Sequence, residues 1–516
     1  MPRTVTSFET DDTGLAAVRR PVDQFWLEEM VAPDVYDCAE GSFRTYRRVV
    51  EVTDLGEGRH RVDQVIDWSL AIPVWEPLFR PLLRSRLTAT FSAPPGSGSG
   101  QLPWWAPPDR LDIRATMVLS QLCVLSLLAG YLGTVITQTI TYAADQFGAS
   151  STAQGSTLAA VRVGIVLALV LAVMADRYGR KRLLVLTSVG GAVATAMGAL
   201  SYDMVSLGVT QTFSRAFSTA LALLIAIVAA EEMPAGARAY AASVLAMTGA
   251  LGAGGAVLLL PLADLGVDGW RLVYLAPLIG LPFFWVIGRR IPESRRFVRR
   301  TAASAKATLS GHRGRLAMLA ASSFFALLFL APNSQFQNDF LRNEHGFTAL
   351  QLTLFTVLTN TPAGIGVVVG GRLADTRGRR RVGAIGTIGG AILLAAAYQV
   401  GGVWLWAFTV TGSIVAAVTV PALAVYGPEL FPTSLRARAN GVISLAGVLG
   451  SSAGLLIAGR MEDHLGRYGP GIALLAIGPL IVAALVLAFY PETAHLELEE
   501  LNPEDEIPNP LSFPVL

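Results

Sequence analysis

Twelve apolar stretches, each about one bilayer crossing long, dominate this chain and leave it few ways to fold. A hydrocarbon core roughly 30 Å thick takes about 20 apolar residues of helix to cross, since lipid offers no partner to an unpaired backbone group. By that measure the spans fall at 115–140, 154–174, 183–202, 204–230, 238–263, 270–288, 316–336, 350–370, 382–400, 403–428, 440–458 and 470–490. Hydrophobic residues make up 52% of the 516 and charged residues 15%, against about 25% charged in soluble domains. The buried helices of a large soluble protein would need amphipathic segments and longer polar loops, which are missing. The prediction is an all-α membrane protein with twelve transmembrane helices.

Cations set its orientation. With the N-terminus inside, the cytoplasmic loops carry Arg177, Arg180, Lys181 and Arg182, then Arg238, then the arginines from Arg289 to Arg315. Arg377, Arg379, Arg380, Arg381, Arg436 and Arg438 follow on the same side, while the opposite loops hold only Arg271, Arg342, Arg460 and Arg467. Both termini are therefore expected in the cytoplasm of a bacterial inner (plasma) membrane. A net charge of +2 gives no reason to expect a nucleic-acid partner. Cys38 and Cys123 are the only cysteines, which offers neither a disulfide framework nor a Cys-rich metal site. No signal-peptide stretch is found in the first hundred residues.

Three motifs occur twice at nearly one offset. D-x-x-G-R-[KR]-R begins at Asp176 and Asp375 (375 − 176 = 199). E-x-x-P-x-x-x-R spans Glu231 to Arg238 and Glu429 to Arg436 (429 − 231 = 198), and P-E-[ST] begins at Pro292 and Pro491 (491 − 292 = 199). Common order and spacing imply a duplicated six-helix unit.

With these motifs, residues 110–495 resemble the major facilitator superfamily, nearest its sugar-porter and metabolite–proton symporter branches. The fold implied is two six-helix repeats. Where the family usually has Gly four residues before the motif Asp, Gly371 conforms and Ala172 does not. The Gly-Pro antiporter signature is also absent, TGALGAGG at 248–255 having glycines without Pro. The resemblance implies that Asp176, Arg180, Glu231, Arg238, Asp375, Arg379, Glu429 and Arg436 form a cytoplasmic gate, whose ion pairs join the halves when that side is shut. Topology alone would account for the cations, but not for an Asp at a helix C-terminus, where the macrodipole disfavours an anion.

Other polar residues lie within the spans. Arg162 and Arg215 stand about 21 Å and 24 Å from the cytoplasmic ends of their helices at 1.5 Å per residue. An intramembrane Arg is a functional candidate by default, and the alternative is an outer-gate pairing with Asp145 or Asp203. Gln138, Asn333, Gln335 and Asn360 could line a pocket or hold helices together. The sugar porters' seventh-helix Gln pair falls on SSFFALLF, their tenth-helix Trp on Ala424, and their eighth-helix Asn nearer Ala363 than Asn360, so a sugar substrate is not supported. The first span has no acidic residue, and Asp339, Glu344 and His345 read as a solvated loop.

Residues 1–90 stand apart as a cytosolic α+β segment. FRTYRRVVEV (43–52) and HRVDQVIDWSL (60–70) read as a β-hairpin, and 74–87 as a short interfacial helix. A Pro/Gly/Ser-rich linker (91–113) leads to the first half (114–293), an inter-half loop (294–314), the second half (315–492) and an acidic cytosolic tail (493–516). No catalytic constellation, metal cluster or phosphate-binding loop accompanies them, so neither an enzyme nor a cofactor is expected. The expectation is a monomeric secondary transporter taking up a small polar or anionic metabolite by alternating access, with a co-transported proton. Efflux of amphipathic compounds is the second reading, and a membrane sensor with a cytosolic output domain the third.

Overall fold

The computed structural model describes residues 2–72, 74–92, 106–107, 109–234, 237–290, 312–423, 426, 430–431 and 433–492. The N-terminal segment is a five-stranded antiparallel sheet of β1 (Arg3–Asp11), β2 (Leu27–Ala32), β3 (Val35–Glu40), β4 (Phe43–Gly56) and β5 (Arg59–Leu70), in the order β1-β5-β4-β3-β2. The expected hairpin is β4–β5, with Phe43 opposite Leu70. Its turn puts Gly56, Glu57 and Gly58 at φ of 80°, 55° and 70°, a left-handed run that glycine makes cheap. Alternation buries Tyr46 and Val50 on β4, and Val62, Ile66 and Trp68 on β5. Helix α1 (Asp12–Val18) follows β1, and α2 (Glu76–Phe91) lays Leu83, Leu87 and Phe91, four apart, over Trp26, Phe43 and Trp68. The segment thus has a core of its own.

One buried ion pair ties it together. Arg48 sends Nη2 to Glu28 Oε2 at 2.6 Å and Nε to Oε1 at 3.0 Å, while Nη1 reaches Gln64 at 3.1 Å. Its guanidinium lies 4.0 Å from the Tyr36 ring centroid, a cation–π contact. Removing one partner strands a buried charge, so Arg48→Ala is expected to destabilise the domain by about 3–5 kcal/mol. Limited proteolysis of residues 1–92 in the full chain measures it, the membrane spans being retained.

Among the described residues twelve helical regions are long and apolar enough to cross a membrane, and they follow the expected order. They are Ile113–Phe147, Ser151–Leu171, Arg180–Leu200, Met204–Glu232, Tyr240–Leu265 and Gly269–Ile287 in the first half. Arg313–Glu344, Ala349–Ala374, Arg379–Ala397, Gly402–Leu423, Ala439–Leu465 and Gly469–Phe489 make the second. The second span is interrupted at Arg162, between helices Ser151–Val161 and Val163–Tyr178. The eighth is interrupted at Thr361 and Pro362, between Ala349–Asn360 and Ala363–Arg377. Positions 162 and 361 are again 199 apart, so the duplication extends to the breaks.

Glycines set the packing within each half. A Cβ on Gly252 would stand 1.8 Å from the Leu127 carbonyl, drawing the fifth span against the first. In the second half a Cβ on Gly450 would stand 2.1 Å from the Phe324 carbonyl, drawing the eleventh against the seventh. Gly252 of TGALGAGG therefore serves close helix approach, as small residues do in bilayers.

Candidate functional site

The basic loops define one end of the bundle, and the hydrogen bonds described between the halves all lie at the other. There the Asp463 carboxylate accepts from the backbone N–H of Ser151 at 2.9 Å and of Thr152 at 3.0 Å, capping the second span from the opposite half. Asp264 does the same to the eighth span, accepting from Ala349 N–H at 3.0 Å. The two carboxylates are 199 residues apart, and their targets Ser151 and Ala349 are 198 apart. Each satisfies orphan N–H groups at the positive end of a helix that belongs to the other repeat. No local motif marks Asp264 or Asp463, but the repeat offset would have found them.

The seal is close-packed as well as bonded. A Cβ on Gly155 would meet the Leu455 carbonyl at 2.5 Å, and one on Gly459 would meet the Ser151 carbonyl at the same distance. Arg342 pairs with Asp145 at 3.0 Å and lies 3.9 Å from the Tyr142 ring centroid. Toward the basic end the second span turns away, its helix Val163–Tyr178 packing mainly on the fourth span. Losing one carboxylate cap costs about 0.5–2 kcal/mol, so Asp463→Ala is expected to shift the seal roughly 2- to 30-fold toward opening. A Thr137→Cys reporter within the seal, carried in both the Asp463 and Asp463→Ala backgrounds and labelled by an impermeant maleimide, reads that shift. The native thiols interfere little, because Cys123 is buried and burial pushes the Cys38 thiol up to about 11.

Gln138 and Gln335 belong to this seal. Gln138 accepts from Asn338 Nδ2 through both its backbone O (3.1 Å) and Oε1 (3.0 Å), and Gln335 accepts from Thr137 at 3.1 Å. Asn333 accepts from the Tyr398 hydroxyl through its backbone O, while its side-chain Oδ1 is buried without a partner among the described residues. Asn360 is exposed at the break of the eighth span. These amides do not converge on one another.

Reading Asp339 as part of a solvated loop was mistaken. The seventh span runs on as helix to Glu344, and Asp339 is 1% exposed beneath the twelfth. Its carboxylate accepts from the Tyr468 hydroxyl, from Asn343 at 2.9 Å and from Gln154 of the other half at 3.3 Å. No cation pairs with it among the described residues. Packing against the opposite half does what loop composition could not announce.

Arg162 and Arg215 come together under the seal. Gly155, against the eleventh span, is seven residues before Arg162, so the two share a helix face. Arg162 is therefore about two turns, or roughly 11 Å, inside the seal. A Cβ on Gly164 would touch Arg215 Cβ at 2.9 Å, and one on Gly133 would lie 3.5 Å from Arg215 Nη1. Gly133 is one turn below Thr137, which bonds the other half. Arg162 lies within electrostatic reach of the Arg215 charge. The suggested outer partners are engaged elsewhere: Asp145 takes Arg342, and Asp203 caps the fourth span through Ser206 N–H at 2.7 Å. Neither guanidinium has a hydrogen-bond acceptor or carboxylate among the described residues, and Arg162 Nε is buried without one.

At the basic end the repeated motifs act within each half. Arg180 pairs with Glu231 at 2.9 Å, joining the third and fourth spans, and Arg114 pairs with Glu232 at 3.0 Å. The Glu492 carboxylate accepts from Arg379 N–H at 2.9 Å and Arg380 N–H at 3.3 Å, so P-E-[ST] caps the helix that the charged motif opens. The motif glycines, Gly179 at φ 94° and Gly378 at φ 91°, make the reversal between spans. The side chains of Asp176, Arg238, Asp375 and Arg436, and all of Glu429, lie outside the described residues.

Two repeats around a shared interface, with the repeated charged motifs at one end, define a membrane carrier architecture. The family model of the Major Facilitator Superfamily matches residues 122–336 and 317–513, and the chain belongs to that superfamily. It is a multi-pass membrane transporter and not an enzyme. A Haemophilus influenzae protein described as a metabolite transport protein is 26% identical over 351 residues, covering 62% of this chain and 76% of that one. The cis,cis-muconate transport protein of Acinetobacter baylyi is 24% identical over 339 residues, covering 61% and 80%. A D-xylose-proton symporter shares the fold with a TM-score of 0.63 at 19% identity, over 73% of this chain and 98% of that one.

Proposed function

We propose that this protein is a secondary carrier that takes up a small organic anion, a carboxylate, by alternating access. The observation that carries the reading is the pair of intramembrane arginines without a carboxylate partner among the described residues. An uncompensated cation at membrane depth is costly, and two side by side cost more. A substrate carboxylate lying between them would offset that cost through charge-assisted, bidentate bonds that a neutral sugar cannot supply. The muconate carrier among the relatives supports the class, since muconate is a dicarboxylate. If the basic end is cytoplasmic, as its arginine excess implies, the sealed end is outside and the substrate site faces inward. Asp339 is then the carboxylate suited to hold a coupling proton, being buried in the seal with no cation paired to it among the described residues. Opening the seal would give it access to the outer solution.

Uptake into proteoliposomes tests this reading directly. Labelled cis,cis-muconate or a related carboxylate is expected to accumulate under an inward proton gradient, and xylose is not. Equal uptake of the sugar, or none of any carboxylate in a broad panel, overturns it.

A further inference from the structure

Between the N-terminal domain and the first and fifth spans lies a cleft of about 210 Å³. Its domain wall is made by Leu70, Ile72, Trp75 and Phe79, and its membrane wall includes Leu119 and Val244. The domain is fastened there by Trp75 Nε1 donating to the Ser120 carbonyl at 3.0 Å and by Thr116 bonding Ser42 at 2.9 Å. Arg110 adds a bond to the Gln24 carbonyl at 2.9 Å.

We propose that this cleft holds an acyl chain of an anionic phospholipid from the leaflet on the basic side. Depth is the first argument: on the fifth span the lining runs from Tyr240 to Leu251, about 17 Å of helix, so the cleft reaches from the headgroup layer into the hydrocarbon. Its rim faces lipid, with Leu78 64% exposed and Met247 and Leu251 each 58% exposed. Its polar groups are largely spent. Ser42 and Thr116 bond each other, and Thr248 bonds back to its own helix. Ser120 Oγ is the exception, buried on the cleft wall with no partner among the described residues, and it can donate to an ester oxygen.

Charge selects the lipid class. Leu78 and Leu82 lie one turn apart on an outward face of α2, and farther round the same helix Arg80, paired with Glu76 at 3.4 Å, and Arg84 are exposed. An interfacial helix with apolar and basic residues in that order inserts its leucines while its arginines meet anionic headgroups. The chain would enter past Leu78 and lie along Phe79 and Val244. Neither the domain nor the spans alone would form the pocket, so lipid occupancy would strengthen their union.

Photolabelling of the full chain in nanodiscs tests it. Phosphatidylglycerol carrying a diazirine at its acyl terminus is diluted into phosphatidylcholine, with diazirine-labelled phosphatidylcholine and free fatty acid as parallel probes. Adducts of the phosphatidylglycerol probe are expected to concentrate on the peptides holding Phe79 and Met247. Val244→Trp, which fills the cleft, should remove that concentration, and Met247→Trp at the exposed rim should reduce it if the first variant fails to fold. Arg80→Gln with Arg84→Gln should lower phosphatidylglycerol labelling about 10- to 30-fold, toward that of phosphatidylcholine. Labelling spread evenly over the lipid-facing spans overturns the proposal, as does labelling by the free fatty acid alone.

Discussion

Changing Arg215 to alanine is expected to lower carboxylate uptake, as kcat/KM, by roughly 30-fold to several-thousand-fold. Truncating one partner of a buried, hydrogen-bonded charge pair costs about 2–5 kcal/mol, and each 1.4 kcal/mol is a factor of ten. Arg162→Ala should do the same, with the loss mainly in KM, since the proposed contact acts in substrate binding. Arg215→Lys keeps the charge but loses the planar fork, so it should recover only part of the affinity. The double alanine variant should lose less than the sum of the two, because removing one arginine also relieves its repulsion of the other. Initial rates across substrate concentration separate these outcomes. An unchanged KM in both single variants would remove the arginines from the site.

Asp339→Asn is expected to abolish accumulation driven by a proton gradient and to leave exchange of internal for external substrate largely intact. The amide nearly matches the carboxyl in volume, its oxygen can keep the bond from Asn343 and its nitrogen can donate to the Tyr468 hydroxyl, but it cannot carry a proton. The packing of the sealed end, set by Gly155 against Leu455 and Gly459 against Ser151, should survive the change. Comparing gradient-driven uptake with exchange in one preparation reads the split. Accumulation at the wild-type level would assign coupling elsewhere.

The transmembrane architecture was legible because about 20 apolar residues in lipid leave the backbone little choice but helix. Three repeated motifs then exposed the duplication, and even the breaks at Arg162 and Thr361 obey its offset. The hairpin β4–β5 was visible in its alternation, whereas β1, β2 and β3 were not, since much of each faces outward and carries polar residues on both sides. The site was legible in part. Arg162 and Arg215 stood out because charge in hydrocarbon is rare, but that they meet under one seal depends on Gly133 and Gly164, which look like ordinary small residues. Asp339 was misread for a related reason: a polar run after an apolar helix resembles a loop until the opposite half covers it. The caps by Asp264 and Asp463 are tertiary contacts between repeats, and only their shared offset betrays them.

The repeated charged motifs act on the scale of one half. Arg180 with Glu231, and Glu492 with the start of the ninth span, are contacts within a half. They tie spans of the same half to one another at its basic end. The bonds described between halves sit at the other end, so the alternating access proposed above requires them to break as the basic ends come together.

Counterflow tests the central claim most directly. Proteoliposomes loaded with unlabelled cis,cis-muconate, or whichever carboxylate the panel identifies, are diluted into a trace of labelled substrate with no ion gradient. The account predicts transient, saturable overshoot of label with the wild-type chain, none for xylose, and its loss when Arg162 and Arg215 are both alanine. Undiminished carboxylate overshoot in that double variant would contradict it.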